Sequence, residues 1–447
     1  MDRFASEYHG GLQELRQKGA VFLDAWHRHV PTETAPGHAA ILTGRPPSVT
    51  GIVGNTWWNR ATGRLMASID DPRQGPSPRN LEAPTLGDFL KAASPRSRVV
   101  SLSFKDRAAI LLGGQKADAA IWFDPKTRQF VTSPFYGALP PWTKNVNERL
   151  KARGRSLLDL VKTNDMEASP EADEWLWQLT KDAIESLNLG NGKACDLLAV
   201  SFSATDYIGH RYGPESLQMH EQMLHLDRLL ALLIKEIEAR VKPGEWDLIL
   251  TSDHGVMPPP EQPGGRYIHA RRFPRSALQQ AIEKALQTLH PAIGSRWVLS
   301  LDPPNLYLNR GLADQLGLDW QGFLREAAAA LSGLREVAHI YRPGQPDPRD
   351  PYSGVYQRSV FPSRSGDLLV RMSPGVLVSD WNFTSHGTPY DYDAKVPLVF
   401  LGSDFVAGQF RTNVNVTDAA PTLAYVLRLP LTPSHGDRIL KEMLRKR

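Results

Sequence analysis

Apolar positions in this chain follow two alternating rhythms. Short, mostly apolar runs at 20–26, 98–104, 196–202, 246–251 and 396–401 read as strands, the one at 196–202 as a buried strand. Between them, apolar residues three and four apart mark helices over 4–18, 86–93 and 171–187, with a closing helix after Pro421. The longest helix carries Met219, Met223, Leu226, Leu230, Ile234, Ile237 and Val241 on one stripe, which faces a core. This alternation predicts an α/β fold, a central mostly parallel sheet flanked by helices.

The rhythm weakens twice. Residues 113–170 are rich in Pro and aromatics, and they read as a cap insertion over the carboxyl edge of the sheet. Residues 258–380 form a second insertion, with helices expected at 275–289 and 312–331 and strand candidates at 297–309 and 367–372. The core is then assembled from 1–112, 171–257 and 381–447. A hydrophobic share of 41% and a charged share of 22% over 447 residues suit such a globular chain.

Charge adds little. The net +4 is the difference between 52 basic and 48 acidic residues spread along the chain, so neither nucleic acid nor a membrane surface is implied. Cys195 is the one cysteine, which excludes an internal disulfide and a Cys-rich zinc site; placed just before the apolar run at 197–200, it is expected to be a small buried residue. No apolar run is long enough to span a bilayer, and the first residues do not read as a signal peptide. A monomer acting on small molecules is expected.

Chemistry gathers where the strands end. Thr34 stands in Pro31-Thr32-Glu33-Thr34-Ala35-Pro36-Gly37-His38, at a strand-to-helix junction with Pro36 in the first helical turn. Its hydroxyl would face unpaired N–H groups and the positive end of the helix dipole, which suits a nucleophile or a phosphate. The alternative is that Thr34 only caps the helix. Lys105-Asp106-Arg107, Asp206 with His210, Asp253 with His254, and His386 follow other apolar runs or lie in loops near them. Carboxylate and imidazole without thiolate suit zinc or a similar divalent ion. Any one Asp–His pair could be a plain hydrogen-bonded pair; their convergence beside Thr34 points to a site.

These motifs, with Asp206-Tyr207-Ile208-Gly209-His210, Ser252-Asp253-His254-Gly255 and His386-Gly387-Thr388-Pro389-Tyr390-Asp391-Tyr392-Asp393, resemble the alkaline phosphatase superfamily. The resemblance is nearest to its threonine-nucleophile, phosphate-irrepressible alkaline phosphatases, relatives of the nucleotide pyrophosphatase/phosphodiesterases. It implies hydrolysis of phosphate monoesters with two zinc ions and a phosphothreonine at Thr34, by in-line phosphoryl transfer. Asp206, His210 and His386 would hold one zinc, while Asp253, His254 and Thr34 face the other. Asn55, Lys105 and Arg107 would bind the phosphoryl group. The Lys-x-Arg pair favours a doubly charged monoester over a diester, so diester cleavage is the alternative. Sulfatases are set aside, since the nucleophile segment lacks their Cys or Ser followed by Pro-x-Arg. Trp57 and Trp58 read equally as a leaving-group wall or as core. Ser434-His435-Gly436 lacks the flanking motif, so His386 is the preferred ligand.

In one respect the chain departs from the family. Its pattern opens with a strand ending in an aspartate that ligates the second zinc, and the 33 residues before Thr34 leave no place for it. A trimmed start is expected, or else a non-catalytic form that binds phosphate esters. The relatives are usually periplasmic or secreted, and the same location is expected here.

Overall fold

Helix α1 (Gly11–Lys18) starts later than the expected residue 4, and the reason lies far along the chain. The Asp227 carboxylate accepts from the N–H groups of His9, Gly10, Leu12 and Gln13, capping α1 from another helix. The computed structural model describes residues 3–153, 166–261, 270–380, 382–434 and 436–446. Stretches of both expected insertions, at 154–165 and 262–269, lie outside the described residues, as does His435 of the second Ser-His-Gly.

Strand β1 (Ala20–Trp26) leads to α2 (Thr34–Thr43). A hairpin follows, β2 (Thr56–Asn59) and β3 (Arg64–Ala67), then α3 (Leu86–Ala93), started by a reciprocal cap between Thr85 and Asp88. Next come β4 (Val99–Ser103), α4 (Asp106–Gly113), β5 (Ala119–Asp124), β6 (Gln129–Val131) and α5 (Pro170–Leu187). Strand β7 (Leu197–Ser201), α6 (Ala204–Tyr212), α7 (Leu217–Arg240) and β8 (Asp247–Thr251) complete this half. The predicted apolar stripe does its work: Met219, Leu230 and Ile234 of α7 are buried.

The segment after β8 builds its own layers. Strand β9 (Arg271–Phe273) and α8 (Arg275–Leu289) precede the hairpin β10 (Val298–Asp302) and β11 (Asn305–Leu308). The single helix expected at 312–331 is two, Arg310–Gln315 and α9 (Trp320–Leu331), because Gly317 turns the chain at φ +68°. Then come β12 (Val337–Tyr341), β13 (Leu368–Met372) and β14 (Val376–Val378). Strands β10, β11, β13 and β12 form an antiparallel sheet, and Leu278, Trp297, Phe323 and Leu368 share its core with α8 and α9. The chain closes with β15 (Lys395–Gly402), β16 (Gly408–Phe410), β17 (Val414–Asn415) and α10 (Ala419–Val426).

The expected mixed α/β fold is present, but its central strands fall into two sheets among the described residues. One runs β16-β1-β15-β8, with β17 also beside β1; the other runs β6-β5-β4-β7. Strands β4, β5 and β7 are parallel, whereas β15 is antiparallel to both β1 and β8. Strands β7 and β8 each end their sheet, and both are half-buried along their whole length, while β4 is fully buried. Both rest on α7, since Leu198 of β7 and Leu248 and Leu250 of β8 pack into one core with Leu229, Leu230 and Ile234.

Register sets where the strands deliver their loops. Trp26 pairs with Lys395 and Thr251 with Leu398, so the carboxyl ends of β1 and β8 meet the amino end of β15. Ser103 pairs with Ser201, which levels the carboxyl ends of β4 and β7. Cys195 is exposed rather than buried: it precedes β7, whose outer edge no described strand covers. Trp57 is core, buried among Ile52, Ile69 and Tyr307, with the Arg364 guanidinium over its ring. No described helix is long and apolar enough to cross a membrane.

Candidate active site

Thr34 is the first residue of α2, and its side chain does not cap the helix. That task falls to Asn55, whose Oδ1 accepts from the Ala35 N–H at 2.9 Å. In return the Asn55 N–H donates to Glu33 Oε2 at 2.9 Å. Two segments thus exchange caps, an arrangement usually made within one helical turn. The Thr34 hydroxyl is left beside Lys105, whose Nζ lies 3.5 Å away. Arg107 donates from Nε to Asn55 Oδ1 at 3.1 Å, so three of the expected phosphoryl-binding residues surround Thr34.

Three imidazoles converge from separate elements. His210 on α6 directs Nδ1 to the Thr384 carbonyl at 2.9 Å, and His386 directs Nδ1 to the Thr32 carbonyl at 2.7 Å. His254, after β8, directs Nδ1 to the Gly255 carbonyl at 2.8 Å. A carbonyl only accepts, so each Nδ1 carries the proton and each Nε2 is left with its lone pair. The His386 and His210 Nε2 atoms lie 3.1 Å apart, and the His254 ring stacks on His386 with centroids at 3.5 Å. Lone pairs that close repel unless a cation draws them together.

Asp206 completes the group. Its Oδ1 lies 3.4 Å from His210 Nε2, 3.5 Å from His386 Nε2 and 3.8 Å from His254 Nε2. Asp206 Oδ1 and His254 Nε2 are buried without a hydrogen-bond partner, a costly state for polar atoms that no ligand completes. The ligand atoms of Asp206, His210 and His386 fall within 4.8 Å of one another, so this trio can hold a metal ion. Backbone carbonyls orienting the far ring nitrogens are the usual support of histidine ligands. Imidazole and carboxylate donors without sulfur suit zinc or a similar divalent metal.

A second donor group adjoins the first. Asp253 Oδ2 lies 3.3 Å from His254 Nε2 and 3.2 Å from His38 Nδ1. Sequence reasoning passed over His38, although it stands one helical turn beyond Thr34. Its Nδ1 also lies 2.8 Å from the Thr34 carbonyl and its Nε2 2.9 Å from Ser201 Oγ, tying α2 to β7.

Electrostatics agree with a cation-seeking site. Burial pushes the Asp206 carboxyl up, but Lys105, with which it is ion-paired, outweighs that and holds it well below the usual range. Asp253 is likewise held low against its burial, by the His38 ring that bonds to it and by the Lys105 charge. Burial lowers His254 and His386, keeping both neutral as ligands must be. Glu33 goes the other way: burial, then the nearby Asp302, push its carboxyl up to about 7.

All the residues expected at the site are therefore gathered at one edge of the two sheets. The model of type I phosphodiesterase / nucleotide pyrophosphatase matches residues 1–389. Alkaline phosphatase PhoD of Zymomonas mobilis subsp. mobilis is 31% identical, covering 98% of this chain and 86% of that protein. Alkaline phosphatase PafA of Elizabethkingia meningoseptica is 29% identical, over 96% and 88%. The crystal structure of wild-type PafA superposes with a TM-score of 0.91 at 24% identity, covering 99% of this chain and 96% of that one. Murine ectonucleotide pyrophosphatase/phosphodiesterase 5 superposes at 0.60 with 16% identity, over 97% and 94%, and both likenesses bear on the fold. The chain belongs to the type I phosphodiesterase / nucleotide pyrophosphatase family, within the alkaline phosphatase superfamily.

Proposed function

We propose that this protein hydrolyses phosphate monoesters through a phosphothreonine formed on Thr34. The observation that carries the reading is the uncapped Thr34 hydroxyl beside Lys105 Nζ, itself paired with Asp206 of the imidazole cluster. Asp206, His210 and His386 would hold one zinc; Asp253, His254 and Thr34 would face a second. Bound there, the two ions would acidify the Thr34 hydroxyl and neutralise charge on the phosphoryl and leaving oxygens.

The chain's own groups supply the rest. Thr34 Oγ forms its bond to phosphorus as the bond to the ester oxygen breaks, and water later splits the phosphothreonine to release phosphate. Asn55 Oδ1 is committed to Ala35 and Arg107, so its amide N–H groups are free for a phosphoryl oxygen. Lys105 and Arg107 add two positive charges, which match a dianionic monoester better than a monoanionic diester. The names of the PhoD and PafA relatives, alkaline phosphatases both, support the same choice.

Steady-state kinetics of the zinc-supplemented protein test it. An aryl phosphate should exceed the corresponding bis-aryl phosphate in kcat/KM by at least about tenfold, or ~1.4 kcal/mol, and Thr34→Ala should abolish turnover of both. Equal rates, or an active Thr34→Ala protein, would remove the proposal. We place the protein in the periplasm or outside the cell by its resemblance to exported relatives, which cell fractionation would check.

A second reading is binding of phosphate esters without turnover. It is motivated by the second donor group, where a single described carboxylate, Asp253, stands 3.3 Å from His254 and 3.2 Å from His38. Phosphate affinity that survives in a protein without turnover would support it.

A further inference from the structure

The exchanged caps around Thr34 give Glu33 a task that nothing in the proposed reaction has yet assigned. Its backbone and side chain act in different directions. The Glu33 carbonyl accepts the first hydrogen bond of α2, from the Gly37 N–H at 2.9 Å, which fixes where the helix begins. Its Oε2 meanwhile takes the Asn55 N–H at 2.9 Å. A bond at each end of Asn55, backbone to Glu33 and Oδ1 to the Ala35 N–H, holds this residue against the helix end that carries Thr34. Neither bond uses the side-chain amide nitrogen, Nδ2.

The loop that carries Asn55 is also held at the Asn55 carbonyl by the Ser68 N–H at 2.9 Å and at Oδ1 by Arg107 Nε at 3.1 Å. Gly54 has no side chain, and a Cβ there would sit 2.8 Å from the Thr56 carbonyl oxygen. The hairpin joining β10 to β11 steadies the loop from outside: Asn305 Nδ2 donates to the Val53 carbonyl at 3.2 Å. Arg275 pairs with Asp302 of the same hairpin at 2.9 Å. Within this frame, Glu33 and the Ala35 N–H join the loop to the nucleophile's own helix, and Glu33 does so through its side chain.

We propose that Glu33 is a positioning residue for the phosphoryl-binding step: by holding the Asn55 N–H it aims the Asn55 amide at the phosphoryl group above Thr34. The inference rests on the proposed hydrolase reading for the identity of the ligand, a phosphoryl group. What Glu33 must supply is an acceptor at the right distance. A glutamine in its place keeps a carbonyl oxygen in reach of the Asn55 N–H, whereas an alanine leaves that donor unmet and the loop untied.

The test is a set of four variants, Glu33→Gln, Glu33→Ala, Asn55→Ala and the double Glu33→Ala/Asn55→Ala, assayed with an aryl phosphate. Inorganic phosphate binding by calorimetry runs beside it, so that the result survives even if the protein proves not to turn over. Glu33→Ala should raise KM, and weaken phosphate binding, about tenfold with a much smaller change in kcat, the signature of a lost ground-state and transition-state contact. Glu33→Gln should recover to within about threefold of wild type, by the retained hydrogen bond. In the Asn55→Ala background the Glu33→Ala change should cost under about twofold, because coupled residues do not add. Fully additive losses in the double variant, Glu33→Gln as impaired as Glu33→Ala, or Glu33→Ala binding phosphate like wild type would each overturn the inference. Should Glu33→Ala melt early, the comparison of Glu33→Gln with Asn55→Ala still decides: equal losses of phosphate affinity exclude an acceptor role. A wild-type protein that binds phosphate without turnover would overturn the hydrolase reading and leave this comparison intact.

Discussion

Gly37 of α2 lies against the backbone of Asp253: a Cβ built on Gly37 would sit 2.3 Å from the Asp253 carbonyl oxygen and 2.9 Å from its Cβ. No real contact is that short, so the helix that starts with Thr34 can seat on the loop after β8 only through a glycine. The next residue, His38, reaches the Asp253 carboxylate at 3.2 Å. One glycine thereby sets the spacing between the expected nucleophile and the second donor group.

Gly37→Ala should therefore push α2 away from Asp253. Because the obstructing atoms belong to the backbone, the strain cannot be relieved by a rotamer change, and a loss of about 1–3 kcal/mol in stability is expected. Zinc affinity at the Asp253 group should fall with it, by about tenfold or more on the scale of lost supporting contacts. Urea unfolding and calorimetric zinc titration measure the two effects; wild-type values in both would show that the backbones part freely.

The two donor groups should not bind metal equally. Asp206, His210 and His386 offer three ligand atoms already within 4.8 Å of one another, with both ring nitrogens oriented by carbonyls. Asp253 and His254 offer two, 3.3 Å apart. Elemental analysis of dialysed protein is expected to find one zinc held firmly and a second lost more readily. Asp206→Asn should remove the firm one, and two ions of equal affinity would contradict this order.

The chemistry of the site was legible because its signals are local. Asp206 and His210 are four apart after an apolar run, so reading strand and spacing was enough to place both on one turn of α6. The release of Thr34 from capping was not legible, since Asn55 supplies that cap from a separate loop. Likewise α1 begins where Asp227 decides, across most of the fold in sequence. Strand β9, Arg271–Phe273, and strand β12, Val337–Tyr341, were missed: the first carries two arginines and the second alternates weakly, so neither looks apolar. Cys195 is exposed beside a strand edge that no described strand covers, a property of tertiary arrangement that no local run encodes.

Lys105 and Arg107 should read substrate charge, and they should do so unequally. Lys105 is buried and reaches both Thr34 and Asp206, whereas Arg107 is partly exposed and acts through Asn55. Lys105→Ala is expected to lower kcat/KM for an aryl phosphate by roughly a hundredfold, near the lower end for losing one partner of a desolvated charge pair. For a bis-aryl phosphate the loss should be about tenfold smaller, since one negative charge less is stabilised. Arg107→Ala should show the same preference with a smaller amplitude. Parallel losses on both esters would mean that the pair does not sense charge.

Away from the ligands, Asp173 should make stability depend on pH. It is fully buried on α5, where its carboxylate accepts from the Ala204 N–H at the start of α6 and from Gln222 Nε2 at 2.6 Å. Burial still pushes it up to about 6, against 3.8 for an ordinary aspartate. A carboxyl raised in this way favours the folded state when protonated: its contribution is complete below about pH 4 and is lost as pH rises through about 6. Asp173→Asn keeps the uncharged form at every pH. Gln222 Oε1, buried without a partner, can accept from the new amide, so the substitution need not break the network. The variant should thus match wild type near pH 4 and exceed it near pH 8, by at most about 3 kcal/mol for two pKa units. Urea unfolding of metal-free protein at several pH values checks this, and the difference between the two proteins cancels the buried histidines they share. A gap that does not widen with pH would mean that the hydrogen bonds to Asp173 already compensate its burial.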